Sequence, residues 1–282
     1  MRELPIPGTT SASQLVAYAM CPRRYFFSYV AGIEPEFKST ALILGTIVHA
    51  GIGWWYEEKL AGREPALDAL NRLVEADVLA ATLDEATIRW RKDADAASLE
   101  ADAKRLLRAY LAEYGDLPVT STEALFSVPL VDPETGRVLG RDLKGYFDLV
   151  LEDDRIVEIK TAAKGWREDD LARHLQVGAY AYVWNTLHGG PSEIEVHVIV
   201  KLKGTPRVER YAIERGEADT RWFVQAAAAI EAAIDARIFP PSPSMLCHEC
   251  ECQKACLSLT GATDIQPAEA PGRHVRRFDV VA

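Results

Sequence analysis

Apolar and polar positions alternate most clearly over residues 145–160, GYFDLVLEDDRIVEIK. Two short apolar runs, 146–151 and 156–159, flank an acidic turn at 152–154, which is the pattern of a β-hairpin. Further strands are predicted over 123–130, over 137–145 leading into the hairpin, and over 193–201 and 208–213 as an antiparallel pair. The strong turn DPETG at 132–136 joins the 123–130 strand to the hairpin, so the sheet is expected to open as an antiparallel meander of three strands. Elsewhere the spacing is helical. Ser11 or Ser13 caps a helix through Leu15 and Tyr18, which ends at Cys21-Pro22 because the residue before a proline is pushed out of helical geometry. A second segment, 23–30, mixes arginines with aromatics. Longer helices are predicted over 41–60, 65–80, 84–90 running on or restarting into 99–114, 169–187 and 217–238, the last stopped by Pro240, Pro241 and Pro243. The alanine-rich stretch 61–114 reads as a helical elaboration that covers the sheet or shapes a channel.

Composition narrows the class. A chain of 282 residues that is 48% hydrophobic can build one large core or two modest ones. No run approaches eighteen apolar residues, and the start MRELPIPGTTSAS lacks the apolar stretch of a signal peptide, so a soluble cytoplasmic protein without a membrane partner is expected. The net charge of -10 does not advertise nucleic-acid binding and leaves room only for a local basic groove.

The hairpin carries the first candidate chemistry. Asp148 lies toward the turn end of one strand, and Glu158 and Lys160 share a face of the other while Ile159 points away. Three charges are thereby expected to converge on one sheet edge. Two carboxylates from neighbouring strands suit Mg²⁺, a hard cation that keeps several waters, and Lys160 is placed to orient or help deprotonate one of them. His49, on its own segment, reads as a satisfied core histidine of the 41–60 helix. Gln176 and Tyr180, four apart on a helix, share a face.

The cysteines form the second constellation. Cys247, Cys250 and Cys256 are spaced C-x2-C-x5-C near one end, and Cys21 near the other can supply a fourth thiolate. Four thiolates suit tetrahedral zinc or an iron–sulfur cluster, and spacing does not separate the two. Cys252 is left over, and His248 is a less favoured zinc ligand.

Taken together, the segments 11–24, 45–49, 145–160, 176–180 and 247–256 resemble, in order, the PD-(D/E)XK superfamily, specifically RecB-like nucleases with an iron–sulfur cluster, a group that includes the CRISPR-associated exonuclease family and the nuclease domain of AddB. The resemblance implies an α/β fold with a restriction-endonuclease-like core, a central mixed sheet flanked by helices, a helical insertion and a terminus clasped by cysteines. It implies a single domain over 1–282, with the elaboration at about 61–114 and the cluster segment at about 240–260. Its G-x-x-x-H falls on Gly45 to His49 and brings His49 into the metal site, against the local reading. Its G-x-x-D and E-x-K fall on Asp148, Glu158 and Lys160, and its Q-x-x-x-Y on Gln176 and Tyr180, as catalytic residues. His49, Asp148, Glu158 and the Ile159 carbonyl are implied to bind Mg²⁺ or Mn²⁺, and Cys21, Cys247, Cys250 and Cys256 a 4Fe-4S cluster, with Zn²⁺ as the alternative. The activity implied is a metal-dependent deoxyribonuclease, an exonuclease acting on DNA with free ends or single strands; the other reading is a DNA-binding or complex-assembly module. Arg23, Arg24, Lys164, Arg167 and Arg173 are candidate backbone contacts. No G-x-x-x-x-G-K-[ST] motif is present, so unwinding is expected from a helicase or CRISPR-adaptation partner.

Overall fold

The computed structural model describes residues 4–259 except 85–86, 93, 133 and 191. Chain order is β1 (Thr9–Thr10), α1 (Ala12–Met20), α2 (Pro22–Tyr25), a π-helical turn (Phe26–Val30), β2 (Lys38–Ser39), α3 (Thr40–Leu60), α4 (Leu67–Thr82), β3 (Ile88–Arg89) and α5 (Ala96–Tyr114). It continues with β4 (Val119–Val128), β5 (Asp142–Leu151), β6 (Ile156–Ala162), α6 (Glu168–Ala172), α7 (Leu175–His188), β7 (Ser192–Val200), β8 (Arg207–Arg215), α8 (Glu217–Asp235), a 3-10 turn (Met245–Glu249) and α9 (Gln253–Leu259).

The predicted meander forms: β4, β5 and β6 pair antiparallel in sequence order. Strand β7 then joins β6 in parallel, after the crossover through α6 and α7, and β8 folds back antiparallel on β7. Strand β1 adds to β5 in parallel beside its start. The result is an α/β core around a mixed sheet with helices on both faces.

Side-chain alternation along the inner strands divides the core. On one face Ile194, Val196 and Val198 of β7 pack with Val177, Tyr180 and Trp184 of α7 and Phe223 of α8. On the other, Val157 and Ile159 of β6 and Ile199 of β7 meet Ile47 and Val48 of α3, Val74 of α4 and Leu106 and Leu107 of α5. The 61–114 elaboration therefore covers the sheet. A small aromatic cluster around Tyr18, Tyr25 and Phe239 joins the N-terminal helices to the end of α8.

Local signals set several boundaries. Ser11 accepts a hydrogen bond from the Gln14 amide and caps α1, and Pro22 opens α2 at its first position. Three expectations are corrected. Residues 88–89 are a strand rather than helix, because Ile88 and Arg89 pair in parallel with Lys38 and Ser39 across a long sequence separation; 85–86 lie outside the described residues, as does Pro133 of the DPETG turn. The 169–187 helix is two helices, broken at Arg173 and His174. The last long helix stops at Asp235, just before Arg237 takes a left-handed φ of 57°.

Candidate active site

Strands β5 and β6 are inner strands, flanked by β4 and β7, so the hairpin charges do not lie on a sheet edge as expected. They lie in a split. The β5–β6 ladder runs only through Leu149↔Val157 and Val150↔Ile156, and beyond it the strands part. The Asp148 side chain fills the gap: its Oδ2 accepts from the Ile159 amide at 2.7 Å, taking the place of the missing ladder carbonyl. Asp148 is thereby fixed against the backbone of the residue between Glu158 and Lys160.

Two glycines explain how the surrounding elements come close. A Cβ on Gly45 would stand 3.3 Å from the Thr161 Oγ1, so α3 lies tight on β6, and His49, one turn further on the same face, reaches the split. A Cβ on Gly145 would stand 2.6 Å from the ring of Phe126, which packs on Phe147. His49 Nδ1 is 3.6 Å from Asp148 Oδ2. Burial lowers its pKa, Glu158 and the Ile159 backbone oppose that, and Lys160 adds to it.

Glu158 is buried, Lys160 Nζ forms an ion pair with its Oε1, and the Tyr180 hydroxyl bears on the same carboxylate. Burial pushes the Asp148 carboxyl well up and the Glu158 charge pushes it further, against the Ile159 amide and Lys160. From α7, Gln176 Nε2 lies 3.1 Å from the Tyr180 hydroxyl, which donates to the Tyr146 carbonyl at 2.9 Å and braces β5 beside the split. Among the described residues no three His, Cys, Asp or Glu side chains form a finished metal cage. The donors that converge are two carboxylates, a histidine and the Ile159 backbone. This oxygen-rich set, two carboxylates and a backbone carbonyl beside one imidazole, fits a hard divalent cation that brings its own waters.

Two groups escaped sequence reasoning. Glu123 on β4 has a φ of 44°, rare for a non-glycine residue, at the one place where the β4–β5 register skips Asp148, and its charge bears on the Asp148 carboxyl. His174 precedes α7 with its ring 5.2 Å from Trp166; its Nδ1 is buried without a partner, and burial and the Lys160 charge lower its pKa. Only the broken helix at 173–174 signals its placement, and alternation gives no sign of the kink at 123.

The cysteines lie apart from this split. No disulfide joins them. The tail returns to the N-terminal helices through protein contacts: Tyr18 donates to the Ile238 carbonyl at 2.6 Å, Arg23 Nε to the Phe239 carbonyl at 2.8 Å, and Arg24 pairs with Glu251 at 2.8 Å. Cys21 comes near enough to Cys250 and Cys256 to bear on both thiols, as Cys247 does on Cys256, whereas Cys252 is buried, with a pKa pushed up to about 11 by burial. The thiol set around Cys21 fits a soft metal in its chemistry; Cys252 is buried beside it, with Cys250 bearing on its thiol.

Of the candidate DNA contacts, Arg23 and Arg24 are engaged in tying down the tail, Arg167 pairs with Asp170, and Arg173 lies over the Trp222 ring at 5.2 Å. Lys164 is exposed.

Comparisons with known proteins bear on the fold. The solved structure of an exonuclease by provisional designation, from Eubacterium rectale, superposes with a TM-score of 0.52 at 14% identity, over 90% of this chain and 93% of its own, and so shares the fold. The structure of SSO0001 matches at a TM-score of 0.43 and 16% identity, over 90% of this chain and 88% of its own. No curated protein matches the chain. The family model described as the PD-(D/E)XK nuclease superfamily matches residues 9–257, and the chain belongs to that superfamily.

Proposed function

We propose that the protein is a divalent-metal-dependent deoxyribonuclease that hydrolyses phosphodiester bonds from DNA ends. The observation that carries the reading is the split between β5 and β6, where Asp148, Glu158, Lys160 and His49 gather around Ile159 and two carboxylates oppose each other beside one lysine. The preference for ends follows the exonuclease designation of the Eubacterium rectale structure.

Asp148, Glu158, the Ile159 carbonyl and His49 would hold Mg²⁺ or Mn²⁺. When bound, the cation supplies Lewis acidity at the phosphate and acidifies a bound water. Lys160, already paired with Glu158, steadies charge building on the phosphoryl oxygens and favours the attacking hydroxide. Gln176 and Tyr180 act through position, holding β5 open on its Asp148 side. Cys21, Cys247, Cys250 and Cys256 would bind a 4Fe-4S cluster, with zinc as the alternative, close to the contacts that join the two ends of the chain. DNA repair and CRISPR- or phage-related DNA processing, beside a helicase, are the settings that suit this activity.

End-labelled single- and double-stranded DNA, incubated with wild type and Lys160→Ala in Mg²⁺, Mn²⁺ or EDTA, tests the reading. Divalent-dependent cleavage that is lost in the variant is expected. Equal DNA binding by both proteins with cutting by neither would replace the enzyme by a DNA-binding module.

A further inference from the structure

Strand β5 changes the side on which it is buried partway along its length. Leu143 and Phe147 pack into the cluster that α7 and α8 cover, whereas Leu149 and Leu151 pack into the cluster that α3 covers. In a regular strand these alternate residues would all share one face. The exchange falls at Asp148, where the β4–β5 register passes from Ala124↔Phe147 to Thr122↔Leu149 and Glu123 takes its φ of 44°. The kink at Glu123 thus lets one strand serve two cores on opposite faces of the sheet, with Asp148 at the crossing.

Ahead of the crossing the sheet is open on one side. Tyr146 is 53% exposed, and Leu125, its direct partner on β4, is 60% exposed. Phe147 and Phe126 beside them turn into the α7 cluster, so alternation puts Tyr146 and Leu125 on the α3 side. That is the side from which α3 brings His49 to 3.6 Å from Asp148. Single exposed apolar residues are ordinary. These two are cross-strand neighbours, about 5 Å apart at Cβ, and Tyr146 stands about 7 Å along the strand from Asp148. One step further out, exposed Lys144 lies opposite exposed Ser127. The backbone beneath is braced: the Tyr146 carbonyl accepts from the Tyr180 hydroxyl at 2.9 Å, and Gly145 is packed on the ring of Phe126.

We propose that Tyr146 is a substrate-binding residue of the nuclease, its ring stacked on the base next to the phosphate that is cut, with Leu125 beside it and Lys144 on a neighbouring phosphate. The proposal rests on the nuclease reading and names the residue that sets the substrate's register in it. A tyrosine offers a flat, rigid face at small conformational cost, and base–aromatic stacking accepts every base. Holding that base also holds the sugar and phosphate joined to it, and alignment of the phosphorus over the split is what hydrolysis requires. A tyrosine that served the sheet alone would act through its pairing with Leu125, and its loss would show in stability instead.

Full-length Tyr146→Ala, Tyr146→Leu and Tyr146→Phe, compared with wild type on oligothymidylate, test it. Each protein is given the intact strand and strands with an abasic nucleotide at either end, for binding in EDTA and for cleavage in Mg²⁺. Tyr146→Leu keeps an apolar side chain on the strand and is expected to melt as wild type does. It and Tyr146→Ala are expected to lose about tenfold in affinity and in kcat/KM on the intact strand, mainly through KM. On a strand that lacks the base at the end being cut, both are expected to match wild type. Tyr146→Phe, which keeps the ring, restores the loss. Full affinity and kcat/KM in Tyr146→Leu, or a loss that persists undiminished on both abasic strands, overturns the proposal. Failure of the nuclease reading looks different: wild type would cut no strand in Mg²⁺, while the variants still bound the intact strand more weakly in EDTA and the abasic strand equally.

Discussion

Asp148, largely buried, and buried Glu158 are held together where their charges oppose each other, so at the scale of the residue the site is costly without a compensating cation. Burial first, then Glu158, raises the Asp148 carboxyl above its ordinary value of about 3.9. A raised acid stabilises the fold fully below that ordinary value, and the contribution is lost as pH rises through the folded-state value. At neutral pH without metal the group therefore works against folding. Asp148→Asn keeps an acceptor for the Ile159 amide and removes the conflict. In EDTA it is expected to melt about 2–4 °C above wild type, corresponding to roughly 1 kcal/mol, while cleavage is abolished and Mg²⁺ no longer raises the melting temperature. A lower melting temperature in EDTA would mean that the carboxylates are not in conflict. Gly145 obeys a steric rule of the same kind. Its Cβ would meet Phe126 at 2.6 Å, so Gly145→Ala is expected to cost about 1–3 kcal/mol in urea unfolding. Combining it with Phe126→Leu should give less than the sum of the two losses, because both act on one contact.

At the scale of elements, the sheet is tied to α5 by a polar network on β7. His197 Nε2 lies 2.9 Å from Glu195 Oε2 and its Nδ1 lies 3.1 Å from the Tyr110 hydroxyl, while Arg210 Nε donates to Glu195 at 2.7 Å and Arg155 closes on the same carboxylate. Burial would raise the Glu195 carboxyl, but the hydrogen bonds from Arg210 and His197 outweigh it and hold it well below the usual range. Stability from this group is present above about pH 4.3, the ordinary glutamate value, and is lost as pH falls toward the depressed one. Glu195→Gln leaves the two arginines, both partly exposed, without their buried partner and is expected to cost about 1–3 kcal/mol in urea unfolding at neutral pH. The difference from wild type should shrink at about pH 3, and an undiminished difference there would remove the carboxylate as its source. The sequence shows such features unevenly. The β5–β6 hairpin was legible because an acidic turn separates two apolar runs, and Asp148, Glu158 and Lys160 because their spacing follows the strand period. The parallel β6–β7 pairing has no local signature. Residues 88–89 read as helix because their partner strand lies some fifty residues earlier, and Glu123 was invisible because its relation to Asp148 depends on a backbone kink rather than on alternation.

At the scale of the whole molecule the question is what holds the two ends together. Protein contacts alone already join them: the Tyr18, Arg23 and Arg24 bonds to Ile238, Phe239 and Glu251, and the Glu36 amide to the Glu251 carbonyl at 2.9 Å. These contacts are partly exposed, and exposed ion pairs contribute about 0–1 kcal/mol each. A bound metal at Cys21, Cys247, Cys250 and Cys256 would add binding energy that is also folding energy, since the ligands come from both ends of the chain. The five thiols then divide into two kinds. Cys21→Ser is expected to lose bound iron or zinc in elemental analysis, to melt at a lower temperature, and to be cut by protease in the 236–259 segment while the sheet stays intact. Cys252→Ala, which removes a buried thiol outside the C-x2-C-x5-C spacing, is expected to keep full metal content and to lose only packing, about 1 kcal/mol. If Cys252→Ala empties the site and Cys21→Ser does not, the ligand set is misassigned. If neither variant changes metal content, the clasp is built from protein contacts alone, and the fold has no need of a cluster to close its ends.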